Sequence, residues 1–238
     1  MEWTDQGVVL SSRRHGEGAA ILELLTRDHG RHLGLVRGGG SARSAHLFQP
    51  GNTLEVTWRA RLAEHLGSYR CEMHNARAAA LIEARTTVAG IQAIAALAHL
   101  LPERDPVPGL HAALELVLGA MVDDGPWPAL LVRWEIGLLT ELGFGIDLSS
   151  CAATGSPDDL AYVSPKSGRA VSRAAGQPYH DRLLALPAFL AGGRGEPAAS
   201  DIIAGFKLTG HFLERDVFGP RGVAMPAART RLIGLLAG

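Results

Sequence analysis

Thr53-Leu54-Glu55-Val56-Thr57-Trp58 alternates without a break: Leu54, Val56 and Trp58 on one side, Thr53, Glu55 and Thr57 on the other. A period of two is the signature of a half-buried strand, so Trp58 is expected to point inward. Working outward, Gly7–Ser12, Ala19–Thr26 and Gly30–Val36 are apolar, β-branched runs separated by glycine-bearing breaks, and Leu66–Met73 closes the set. Five short strands within about 75 residues suit an OB-fold barrel. An SH3-like barrel fits the same pattern. Trp3 and Tyr69 are the aromatic residues expected at the barrel surface.

After residue 76 the texture changes. Arg77–Leu101 is alanine-rich with apolar residues at helical spacing and stops at Pro102. Leu110–Val122 and Trp127–Leu142 predict two more helices, the second opened by Pro126 and Pro128 and closed by Gly143. Residues 147–176 are glycine- and proline-rich and predict an irregular insert. Helices are expected again over His180–Leu190, over Ser200–Val217 with Ser200 as N-cap, and over Pro226–Leu236. The expected organisation is α+β: an OB-fold barrel over 1–76, then a helical domain over 77–238 that carries the insert.

Charge is uneven although the net charge of the 238-residue chain is −1. Residues 29–54 contain Arg31, Arg37 and Arg43 and no acid, whereas residues 103–147 carry eight acids against Arg104 and Arg133. Residues 202–238 return to five basic against two acidic. Lys166 and Lys207 are the only lysines. Arginine forks onto phosphate oxygens, although a GC-rich genome also favours arginine, alanine and glycine. Two cysteines exclude a disulfide framework, and Met1–Gln6 is polar and acidic, so a cytoplasmic location is expected. The most apolar segment, Ile91–Leu101, falls far short of the roughly 20 residues that span a bilayer.

The stretch Val36-Arg37-Gly38-Gly39-Gly40-Ser41-Ala42-Arg43-Ser44 invites a phosphate-loop reading but lacks the Gly-Lys-Ser/Thr ending of a nucleotide P-loop. Two readings remain open. It is a flexible hairpin loop with solvated arginines, or a loop whose arginines and free N–H groups meet nucleic-acid phosphates. The ten histidines are scattered, with no HExxH or Cys/His ligand spacing and no Gly-x-Ser-x-Gly elbow, so neither metal nor catalytic chemistry has a candidate constellation.

Gly7-Val8-Val9-Leu10, Gly18–Thr26, Gly30-Arg31, Val36-Arg37-Gly38-Gly39 and Leu47-Phe48-Gln49-Pro50-Gly51 follow one another in an order that resembles the RecO family of bacterial recombination mediators. Leu138–Gly145, Asp147-Leu148, Cys151 and Val163–Gly168 continue the likeness, which spans most of the chain. The resemblance implies an N-terminal OB-fold, a helical C-terminal domain and a zinc-ribbon-like insert. It also implies binding of ssDNA and dsDNA, annealing of complementary strands, cooperation with RecR, contact with the C-terminal tail of the single-strand-binding protein, and loading of RecA.

One departure stands out. Metal-binding members carry two Cys-x-x-Cys pairs, but here the first pair reads Cys151-Ala152-Ala153-Thr154 and the second Ser172-Arg173-Ala174-Ala175. One thiolate does not make a tetrahedral zinc site, so an insert without metal ligands and a protein without cofactors are expected.

On this reading Arg13, Arg14, Arg27, Arg31, Arg37 and Arg43 line a DNA groove, and Lys166, Arg169 and Arg173 of the insert extend it. Lys207, Arg215 and Arg221 are candidate receivers of a partner's acidic tail. The rival reading is a protein-interaction adaptor whose barrel binds partner chains without DNA. An enzyme is the third, and lacks convergent titratable groups.

Overall fold

The computed structural model describes residues 1–193 and 195–238, which form two compact units, Met1–Gly125 and Pro126–Gly238. In the first, five strands close into a barrel: β1 (Glu2–His15), β2 (Ala19–Thr26), β3 (Gly30–Val36), β4 (Thr53–Arg59) and β5 (Ser68–Asn75). Their order is β1-β2-β3-β5-β4, with every neighbouring pair antiparallel except β3 and β5, which meet in parallel at Leu35 and Ser68. This is the OB arrangement, and closure leaves no long unpaired edge.

The alternating residues do as expected. Val9, Leu22, Leu24, Leu54, Val56 and Trp58 fill the interior, and Trp58 Nε1 donates to the Leu66 carbonyl at 3.0 Å. Tyr69 does not lie on the surface; it is 5% exposed and packs over Gly34, where a Cβ would sit 2.4 Å from its ring. Trp3 is half-buried, stacked on His29 with ring centroids 3.9 Å apart and on Trp58 at 5.5 Å.

The helices of this unit are α1 (Ala78–Leu81), α2 (Arg85–Ala98) and α3 (Pro108–Val122). The single helix expected over Arg77–Leu101 is therefore interrupted. Ala84 is extended, and the Thr87 hydroxyl lies 2.6 Å from the Leu81 carbonyl and 2.8 Å from that of Ala84, taking carbonyls that a continuous helix would pair internally.

The second unit holds α4 (Trp127–Glu141), a three-stranded antiparallel sheet, α5 (Arg173–Gly176), α6 (Ala199–Phe212) and α7 (Ala227–Ala237). The sheet comprises β6 (Leu160–Val163), β7 (Ala170–Ser172) and β8 (Leu184–Ala185), in the order β7-β6-β8. The expected helix over His180–Leu190 is not formed. That segment is a 3-10 turn, strand β8 and a second 3-10 turn, because Leu184 and Ala185 pair with Val163 and Tyr162 of β6. Ser200 lies in the first turn of α6 rather than at its cap, which is Ala198. Beyond Phe212 the helix widens into a π turn, Leu213–Phe218.

Helices α4, α6 and α7 are clamped by a buried ion pair. Arg229 donates to both carboxylate oxygens of Glu135 at 2.8 Å and to the Phe206 carbonyl, while the Thr209 hydroxyl donates to Glu135. Among the described residues no helix is long and apolar enough to cross a membrane.

Candidate nucleic-acid interface

β3 leaves the barrel at Val36, and Gly38, with φ +73°, turns the chain into a crossing loop. The loop is held by its own hydroxyls rather than being a free hairpin tip. Ser44 Oγ donates to the Gly38 carbonyl at 3.0 Å and lies 2.8 Å from Ser41 Oγ; Gly40 N–H donates to the Gly18 carbonyl of the β1–β2 turn at 3.3 Å. Asn52 closes it at the far side, its amide donating to the His46 and Leu47 carbonyls.

Two clefts flank this loop. The larger, about 650 Å³, is lined by Arg37, Arg59 and Arg70 with Gly38, Ser44 and Ser68, and by one acid, Glu2. The smaller, about 360 Å³, is lined by Arg14 with Ser11, Ser12, Gly40 and Ser41. Strand register explains the convergence. Arg14 stands opposite Ala20, Ala20 opposite Val36, and Arg37 follows directly. Arg13, opposite Ile21, is its exposed neighbour, and Arg43 is exposed within the loop itself. Among the described residues, none of Arg13, Arg14, Arg37 and Arg43 is in an ion pair. Arg59 pairs with Glu2 at 2.8 Å and Arg70 with Glu72 at 3.5 Å, but these side chains are largely exposed and such pairs contribute little. Phosphates can therefore compete for both arginines.

Arg59 and Arg70 lay outside the acid-free window and were missed. A signal existed for Arg59, which follows the inward Trp58, so alternation puts it on the outer surface; for Arg70 it was hidden, because Tyr69 was expected at the surface. The aromatic rings of the clefts, Phe48 and Tyr69, are both 5% exposed. Stacking of bases thus has little platform here, and the chemistry on offer is recognition of the phosphate backbone.

Arg31 is a correction. It is buried, donating from Nε to the Leu101 carbonyl at 2.8 Å and from Nη1 to Glu23 at 2.7 Å, with Glu103 3.7 Å away. Burial raises the pKa of Glu23, but hydrogen bonds from Arg31, His99 and Ser11 outweigh it and hold the carboxyl below its usual 4.5. Arg31 lines neither cleft. Arg27 is exposed but sits at the opposite end of β2 from Ala20, roughly 20 Å along the strand, and is paired with Asp28 at 2.7 Å. The structure does not bring it to the clefts.

In the second unit Lys166, Arg169 and Arg173 lie exposed on the insert. Arg169 pairs with Asp147 at 3.5 Å and Arg173 with Asp159 at 3.2 Å, leaving Lys166 as the uncommitted cation of the three. Arg215 is pinned internally, donating to the Pro165 and Lys166 carbonyls and pairing with Asp216. Lys207 and Arg221 are exposed.

The insert offers no zinc site. The four ligand positions are a thiol, two hydroxyls and a methyl, and no cluster of three His, Cys, Asp or Glu fit for a metal occurs among the described residues. Hydrogen bonds occupy the knuckle instead: Ser172 N–H donates to Cys151 Sγ at 3.2 Å, and Cys151 N–H to the Ser156 carbonyl at 2.7 Å. The Ser172 hydroxyl, then that of Thr154, brings the Cys151 thiol down to about 6.

An OB-type barrel with an arginine-lined face, followed by a helical unit bearing a small sheet insert, defines the class of this protein. The family profile described as "Recombination protein O N terminal" matches residues 1–76, and "Recombination protein O C terminal" matches residues 83–223. The chain is 54% identical over 240 residues to the DNA repair protein RecO of Rhodopseudomonas palustris (strain TIE-1), covering 99% of this chain and 96% of that protein. It is 53% identical to that of Methylobacterium nodulans, covering 99% and 98%, and 52% identical to that of Sinorhizobium medicae, covering 96% and 92%. The chain belongs to the RecO family of DNA repair proteins.

Proposed function

We propose that this chain is a non-catalytic recombination mediator of cytoplasmic DNA repair. It binds ssDNA and dsDNA through the barrel, anneals complementary strands and, with RecR, helps load RecA onto DNA coated by the single-strand-binding protein. The observation that carries the DNA-binding reading is the convergence of Arg14, Arg37, Arg59 and Arg70, from four separate segments, on two clefts beside a glycine loop. Arg13 and Arg43 extend that field. Its arginines meet phosphates without reading bases, so affinity falls steeply with salt and depends little on sequence.

The division of labour follows the chain: residues 1–76 hold most of the DNA, and residues 77–238 carry the protein contacts and, on the insert, further basic residues. Lys166, with Arg169 and Arg173, adds a secondary basic path. Lys207 and Arg221 are the receivers of the acidic tail of the single-strand-binding protein; Arg215, held by the insert, is not.

Oligonucleotide titration at low and high salt tests the reading, together with strand annealing by the wild type and an Arg37→Ala/Arg43→Ala variant. Salt-sensitive binding and slowed annealing by the variant are expected. Unchanged annealing removes the site assignment, and no binding at low salt leaves the protein-interaction adaptor.

A further inference from the structure

The two clefts share a wall. Gly39 and Phe48 line both, while Val36 lines the larger and Ala20 the smaller. Gly39 is wedged between them: a Cβ there would lie 3.0 Å from the Val36 Cβ and 3.1 Å from that of Ala20. At Gly40 a Cβ would lie 2.9 Å from the Ala19 carbonyl oxygen. The wall is therefore glycine backbone seated directly on the barrel, with Phe48 beside it. Each side has its own cations, Arg37, Arg59 and Arg70 on one and Arg14 on the other.

We propose that the two clefts hold two separate segments of single-stranded nucleic acid at once, side by side across the Gly39 wall. This rests on the DNA-binding reading above and supplies a geometry for annealing on one chain. Two phosphate backbones separated only by this wall repel each other, and fixed cations on either side offset that repulsion. The arginines flanking the wall meet it. The burial of Phe48 and Tyr69 serves the same end. A site that stacked bases firmly would withhold them from pairing, whereas one that grips only backbone leaves the base edges of both strands free.

The test uses the full chain and an oligothymidylate of about 5 nucleotides, near the lower site size of one OB barrel and too short to thread both clefts. This probe cannot pair with itself, and its stoichiometry is read by native mass spectrometry at low salt. Wild type is expected to take two strands per chain. Arg14→Ala, and separately Arg59→Ala/Arg70→Ala, are each expected to take one and to anneal complementary strands about tenfold more slowly. All three arginines are exposed, and thermal unfolding of each variant checks that the fold is intact. One strand per wild-type chain overturns the proposal, as does a folded variant that keeps two strands or the wild-type annealing rate. A wild type that binds no strand overturns instead the DNA-binding reading on which it rests.

Discussion

Arg31 lies near the start of β3 and Arg37 just past its end, six residues further along the chain. One is buried in an ion pair; the other is exposed at the mouth of a cleft. The difference lies in what covers each end of β3. At the Gly30 end the backbone of Asp105 packs so closely that a Cβ on Gly30 would meet its carbonyl oxygen at 2.0 Å, and Arg104 N–H donates to the Arg31 carbonyl. Leu101 and Glu23 then complete the coordination of Arg31. At the Val36 end lies the glycine loop, which brings hydroxyls and N–H groups but no carboxylate. The same side chain is a buried clamp where an acid and a carbonyl close over it, and an exposed cation where they do not.

The largest expected effect is on stability at the covered end. Arg31→Met leaves Glu23 buried beside only His99 and Ser11 and should cost about 3 kcal/mol in denaturant unfolding, while DNA affinity of the folded protein is unchanged. A variant of wild-type stability breaks the contrast. At the open end the order reverses. Arg37→Ala, alone or with Arg59→Ala/Arg70→Ala, should leave stability within about 0.5 kcal/mol and lower the salt dependence of ssDNA binding by roughly 0.7 in log–log slope per arginine.

Acid should separate the two ends further. His32, buried against Trp58 and 2.8 Å from the Tyr69 hydroxyl, is held at about 4 by burial, with Arg104 and His29 adding to the depression. His111 is lowered in the same direction, first by burial. The unfolded chain takes up a proton near the ordinary 6.5 that the folded chain refuses, so this contribution is intact above pH 6.5 and is lost as pH falls from there towards 4. Thermal unfolding should show a falling Tm across that interval, flattened by His32→Gln; an unchanged pH profile in the variant removes His32 as the cause.

In the second unit, elemental analysis should find no stoichiometric zinc, and Cys151→Ala should cost about 1 kcal/mol through lost hydrogen bonds at Ser172. The smallest effect belongs to Arg27→Ala. Exposed and paired with its neighbour Asp28, it should change neither stability beyond about 0.5 kcal/mol nor DNA binding.

The strands were legible because each carries its own periodicity: β2 and β3 run over the residues that their apolar runs predict. Elements that depend on a distant partner were not. The segment around Leu184 has helical composition, yet it forms β8 because β6, some twenty residues earlier, offers an unpaired edge. The break between α1 and α2 was hidden in uniform alanine and set by one hydroxyl, that of Thr87. Likewise Arg14 and Arg37 were legible as basic residues near glycines, while their meeting with Arg59 and Arg70 required barrel closure.

The sequence by itself determined the alternation that closes the barrel, the glycines that turn its loop, the order of segments that marks the family, and the missing thiols of the insert. Tertiary structure decided which arginines are free. Charge is a property of the residue, but its availability depends on whether another segment brings an acid, a carbonyl or a covering backbone to it, and that is settled only when the chain has folded.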